Sequence, residues 1–144
     1  MSLNLSRFLK AQNAKYEGYE TALKEIRMGR KTGHWIWYIF PQLKELGRSS
    51  IAQHYGIDGI NEAIAYYKEP VLWARLLEIS QALLYLSEND PVKVLGQTDA
   101  MKVKSCMTLF LSVDPNNEVF QAVIDKFYMG KLDELTISLL ENEN

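Results

Sequence analysis

The sequence predicts an all-α fold, a compact single-domain orthogonal helical bundle of about six to eight helices. Three observations carry this expectation. Apolar residues recur at three- and four-residue steps in at least five segments, the spacing that lines one face of a helix. Helix punctuation brackets those segments, with Asp or Asn at starts, proline in first turns and glycine past the ends. The one run with strand character, His34 to Phe40, has no second run to pair with, so no sheet of three or more strands is expected.

Residues 5–28 read as one long amphipathic helix. Phe8, Leu9, Tyr16, Tyr19, Leu23 and Ile26 make its apolar stripe, and Gly29 sits at its C-terminal end. His34-Trp35-Ile36-Trp37-Tyr38-Ile39-Phe40 has no period. With helical surroundings it reads as a short buried helix of two turns ended by Pro41. Asp58 can cap a helix through about Lys68. Pro70 opens a stronger one, with Leu72, Trp73, Leu76, Ile79, Leu83, Leu84 and Leu86 as a broad apolar face. Asp90-Pro91 starts a short helix that Gly96 stops. Thr98 or Asp99 starts the next, through Phe110. Asn116 or Asn117 caps one that ends near Gly130, and Asp133 caps the last. Residues 1–4 and 141–144 are expected to fray.

Composition bounds the function. The chain has 144 residues, 47% hydrophobic and 24% charged, which is globular rather than disordered. A net charge of -2 argues against general nucleic-acid binding. No apolar run is long enough for a membrane span, and Met1 to Lys10 lacks signal-peptide order. One cysteine excludes an internal disulfide framework and fits a reducing, cytoplasmic setting. Two histidines and that cysteine cannot complete a four-ligand structural zinc site, so no metal is expected. No phosphate-cradling glycine loop or zinc-protease motif occurs, and no cofactor is expected.

Several residues could carry chemistry. His34 stands between a basic turn and an aromatic run. It could exchange a proton as a catalytic residue or touch a ligand, or its ring could simply bond a carbonyl. Trp35 and Trp37 could stack on a base or sugar, or fill the core. Arg30 and Lys31 lie in a basic stretch: residues 24–48 hold six lysines and arginines against two glutamates. Residues 114–144 hold seven carboxylates against two lysines. The basic stretch is either an anion site or the partner of that acidic end, within the chain or across a homodimer. Gln42 could bond a ligand amide or its own backbone. Lys102 and Ser105 fall three apart on one helix. The lysine could ease deprotonation of the serine, although a polar rim is the commoner use. Cys106 reads as a buried thiol.

The chain resembles the domain-of-unknown-function 1810 family. The likeness rests on Gly29-Arg30-Lys31, the block His34-Trp35-Ile36-Trp37-Tyr38-Ile39-Phe40-Pro41-Gln42, Gly47 and Ser49. It continues through Glu62-Ala63, Tyr66, Pro70-Val71-Leu72, Arg75-Leu76, Gly96, Asp99, Lys102, Ser105 and Met107 to Phe110. It ends with Phe120, Phe127, Gly130, Asp133 and Thr136. The resemblance spans about Tyr16 to Leu140 and implies a compact all-α fold with no established activity. Some members carry the label calpastatin, which suits a disordered polar chain and not this apolar-patterned one. Two positions depart from the family's habit: Gly33 replaces a serine and Trp73 a glycine.

Two functions follow. One is a site for an anionic, partly aromatic small molecule such as a nucleotide or an ADP-ribose-like metabolite, with Arg30 and Lys31 supplying charge. Trp35 or Trp37 would stack, and His34, Gln42, Lys102 and Ser105 would recognise polar groups. The other is a helical protein-interaction module without chemistry, whose aromatic block is core.

Overall fold

The computed structural model describes residues 4–143. Among them it contains α-helices and no strand, with one isolated bridge joining Leu43 to Ile57. The α-helices are α1 (Ser6–Gln12), α2 (Tyr19–Arg27), α3 (Ile36–Ile39), α4 (Ser50–Tyr55), α5 (Gly59–Lys68), α6 (Pro70–Tyr85), α7 (Pro91–Leu95), α8 (Gln97–Val113), α9 (Glu118–Tyr128) and α10 (Glu134–Glu141). A single 3-10 turn, Lys44–Leu46, precedes α4.

The all-α class holds, and the helices number ten because two segments differ from the sequence reading. Residues 5–28 form two helices, not one. The break falls at Glu17 and Gly18. Glu17 takes a left-handed conformation, with φ of 54°. A Cβ on Gly18 would stand 2.3 Å from the Ala14 carbonyl oxygen and 2.7 Å from that of Gln12, so only glycine lets these backbones meet. The second difference is α4, whose start is capped by the Ser49 hydroxyl accepting from Ala52 N–H.

Elsewhere local punctuation works as read. Asp90, Asn117 and Asp133 cap α7, α9 and α10 through their side chains. Pro70 occupies the first turn of α6, and the Glu69 carboxylate accepts from Leu72 N–H at 2.8 Å. Gly29 and Gly96 follow α2 and α7 with φ of +84° and +85°. Asp58 holds the N-cap position of α5 without a side-chain capping bond. α8 begins at Gln97, two positions earlier than Asp99 would set it.

The core centres on α8, whose Val103, Cys106, Met107, Leu109 and Phe110 are fully buried. α5, α7, α9 and α10 pack around it, and α9 also packs on α6. α2 lies on α6, and α1 lies on α3 and α6. Large side chains from several elements meet inside: Phe8, Trp35, Phe40, Tyr66 and Phe120. Burial drives the Cys106 thiol well above its ordinary pKa, so it stays protonated and inert. Among the described residues no helix is long and apolar enough to cross a membrane.

Polar ties close the bundle. Arg7 and Glu62 form an ion pair at 2.7 Å with side chains only 9% and 5% exposed. Gln12 is buried; its amide donates to the Tyr38 carbonyl at 2.8 Å and to the Tyr66 hydroxyl at 3.2 Å. The Lys126 ammonium donates to the carbonyls of Leu83, Leu84 and Leu86 at the C-terminal end of α6, where the Leu83 carbonyl also accepts the Leu86 N–H. At the far end, Glu141 closes α10 and the Glu143 carboxylate accepts from Ile60 N–H at 3.1 Å. The fraying expected for residues 1–3 and 144 lies outside the described residues.

The Arg7–Glu62 pair generates a prediction. Glu62→Ala leaves a guanidinium in the interior without its counter-charge, which costs ~3–5 kcal/mol. Urea unfolding measures it, and a loss under ~1 kcal/mol would mean that the pair is screened like a surface one.

Candidate functional site

The segment between α2 and α3 is held by two carboxylates. Glu25 Oε1 accepts from Thr32 N–H and Gly33 N–H, each at 2.8 Å, and from the Trp35 indole N–H at 2.9 Å. Glu17 Oε1 accepts from His34 N–H at 2.9 Å. Burial alone would raise the Glu25 carboxyl, but the bonds from Gly33, Thr32 and Trp35 outweigh it and hold the pKa below the ordinary glutamate value. A Cβ on Gly33 would lie 3.0 Å from the Trp35 ring, 3.2 Å from Glu25 Oε2 and 3.3 Å from Glu17 Oε1. A side chain at this position would have to press these groups apart by a few tenths of an ångström.

The next layer is a shared charge. Lys31 Nζ lies 2.7 Å from Asp99 Oδ2, donates to the Gly33 carbonyl, and sits 4.9 Å from the centre of the Trp35 ring. Lys102 Nζ lies 3.7 Å from Asp99 Oδ1 and 5.1 Å from the centre of the Trp37 ring. One carboxylate in the first turn of α8, where the helix dipole favours it, thus stands between two ammonium groups, each against an indole. The two ends are unequal. Lys31 is 7% exposed and hydrogen-bonded; Lys102 is 20% exposed and lies beyond hydrogen-bond distance of Asp99.

The sequence-predicted residues distribute as follows. Trp35 is fully buried, so the exposed stacking surface of the block falls to Trp37, which is half-buried. Lys102 does come beside Trp37, because the start of α8 runs alongside the block. His34 is exposed, and no hydrogen bond of its ring is found among the described residues. Arg30 is exposed and joins the segment through its backbone, its N–H donating to the Glu25 carbonyl at 3.1 Å. Gln42 is half-buried and its carbonyl accepts from Ile57 N–H at 2.9 Å. Ser105 turns elsewhere. Its hydroxyl donates to the Met101 carbonyl at 3.1 Å and to Asp133 at 3.2 Å, in the seam between α8 and α10. α3 is one turn long, Ile36–Ile39, so the two-turn helix expected between His34 and Pro41 is replaced by a single turn.

Sequence reasoning missed the acceptors: Glu17, Glu25 and the bridging role of Asp99. Their only signal was negative charge on polar faces. The ion pairs among the described residues are Arg7–Glu62, Lys31–Asp99 and Lys102–Asp99, and none joins residues 24–48 to residues 114–144. No group of three His, Cys, Asp or Glu among the described residues is placed to hold a metal ion.

Two outcomes follow from this geometry. Trp35→Ala should cost ~3–5 kcal/mol and Trp37→Ala clearly less, both read by urea unfolding. Because the folded Glu25 pKa is depressed, its contribution is present above the unfolded value and fades as pH falls through the folded one. The urea midpoint of Glu25→Gln should therefore fall less steeply with acidification than that of the wild type. Equal slopes would mean that the charge of Glu25 does not hold the segment.

The chain is similar to a crystal structure, that of the conserved hypothetical protein Rv1873 from Mycobacterium tuberculosis. The two share 38% sequence identity over 96% of each chain, with a TM-score of 0.91. No curated protein matches the chain. Residues 2–140 match the family described as protein of unknown function (DUF1810), and the chain belongs to that family.

Proposed function

We propose that the protein binds an anionic small molecule with a flat, unsaturated part, such as a nucleotide or an ADP-ribose-like metabolite, at the rim formed by Lys102 and Trp37. The observation that carries this reading is the inequality of the two lysines. Lys31 has its carboxylate and its carbonyl. Lys102 has three donors, lies 3.7 Å from the nearest Asp99 oxygen, and hovers over a half-exposed indole. A phosphate oxygen at that ammonium makes a charge-assisted hydrogen bond, and the Trp37 ring offers a stacking face to a base. Arg30 and His34 add exposed donors on the adjoining segment, whose backbone Glu17 and Glu25 tie down. Holding the frame rigid while leaving the tips free lowers the ordering cost of binding. A cytoplasmic setting, which the single reduced cysteine suggests, is where such metabolites are abundant. No reaction is assigned to the site.

Calorimetry at low salt tests the reading with AMP and ADP-ribose as probes. Wild type should bind at least one of them. Lys102→Gln should weaken binding about tenfold or more, as should Arg30→Ala combined with His34→Ala, while leaving the fold intact. Absence of binding by the wild type, or unchanged affinity in Lys102→Gln, would overturn the reading and favour a protein-interaction module.

A further inference from the structure

A concavity lies apart from the Lys102 rim, and neither Lys102 nor Trp37 lines it. It opens between α1 and α4, has a volume of about 610 Å³, and is lined by Ser6, Arg7, Lys10, Ala14, His54 and Tyr55 among others. That size suits a small metabolite, since ligand pockets run ~300–1,000 Å³. No carboxylate is among its lining residues.

Its walls are fixed by Arg7. The guanidinium donates from Nε to the His54 carbonyl at 2.8 Å and from Nη2 to the Gly56 carbonyl at 2.8 Å and Glu62 Oε1 at 2.7 Å. Its Nη1 donates to the Asn4 carbonyl and to Glu62 Oε2 at 3.2 Å. All five of its N–H groups are thereby used, and its charge is cancelled by a buried partner. Arg7 is therefore scaffold: it locks α1 to the end of α4 and sets the width of the opening.

The polar side chains left for a ligand include those of Lys10 and His54. Lys10 is exposed one turn along α1 from Arg7. The His54 ring packs edge-on against Tyr55, with centroids 4.6 Å apart, and no hydrogen bond of its ring is found among the described residues. Tyr55 is braced from behind by Tyr38 at 5.1 Å and Phe8 at 6.2 Å, so the aromatic floor is rigid. A lysine and an imidazole N–H on opposite walls, a rigid aromatic floor and no competing carboxylate suit one acidic head on a small flat body. We propose that this cavity binds a small phosphomonoester, its phosphate between Lys10 and His54 and its body against Tyr55.

The two histidines of the chain make the test clean, because one lies at each site. Phenyl phosphate is titrated into the protein while the imidazole proton signals are followed by NMR, with His54→Gln used to assign them. The His54 signals should move and saturate by about 10 mM probe, the concentration at which a weak single-anion site fills. Lys10→Gln should weaken that titration about fivefold, and Lys102→Gln should leave it unchanged. Lys10 is exposed and Lys102 partly buried, and urea unfolding of each variant checks that it folds. Immobile His54 signals, or a His54 titration indifferent to Lys10→Gln, would overturn the proposal. Movement of His34 reports only on the Lys102 rim, so the two sites succeed or fail independently.

Discussion

One oxygen of Glu25 accepts three hydrogen bonds, and the placement of the aromatic block follows from it. Two of those bonds come from successive backbone N–H groups in a segment with no helix or sheet to satisfy them. The third comes from the indole of Trp35, a donor that must find a partner once the ring is buried. A single acceptor thus lets the chain leave α2, turn, and bury a tryptophan with no polar debt. The same turn points Lys31 at Asp99, which lies on α8. Two elements far apart in sequence are joined by charge at the point where the indole enters the core.

How much of this was legible beforehand depends on range. The caps of α7, α9 and α10, the proline start of α6 and the glycine after α2 are local effects. Each needs only a side chain and a backbone group a few residues away, so the sequence shows them. The break after α1 is not local in that sense. Its cause is the approach of Gly18 to the carbonyls of Gln12 and Ala14 together with the left-handed Glu17, whose carboxylate reaches across to His34. The apolar stripe runs through that break without a visible fault, because Tyr19, Leu23 and Ile26 keep the phase set by Phe8. α4 escaped notice for the opposite reason: its six residues bury only Ala52, too little to make a stripe.

The candidate site divides the same way. That Lys102 would stand beside the aromatic block required knowing how α8 packs, and periodicity carries no such information. Ser105, one turn on, shows how little a shared face means: a rotation of ~60° around the helix takes it from the Trp37 side to the seam with α10. Segment charge says as little about pairing within the chain. The excess of cations over residues 24–48 suggested a partner among the acidic C-terminal helices, yet the ordered pair from that stretch is with Asp99. Lys126, from the acidic segment, spends its charge on the carbonyl end of α6 instead. Helix ends compete for charged side chains as effectively as opposite charges do.

This competition sorts the polar groups of the molecule into spent and unspent. Among the described residues no buried side-chain nitrogen or oxygen lacks a hydrogen-bond partner. Arg7, Gln12, Glu25 and Lys31 are therefore committed to architecture, however chemical they look in the sequence. The departure at Trp73 follows the same logic. Its ring stands edge-on to Tyr67 at 6.2 Å, and the Tyr67 hydroxyl is already given to Asp114 at 2.6 Å, so the added indole covers a finished tie. Recognition must then rest on groups that the fold orients without saturating. In the two proposed sites those groups are Lys102 over Trp37 and Lys10 in the cavity that His54 also lines. In both places a largely buried cation with hydrogen-bond partners, Lys31 in one case and Arg7 in the other, fixes the frame beside one without a hydrogen bond. Removing the buried cation should damage the fold, whereas removing its free neighbour should leave the fold and change only what it binds.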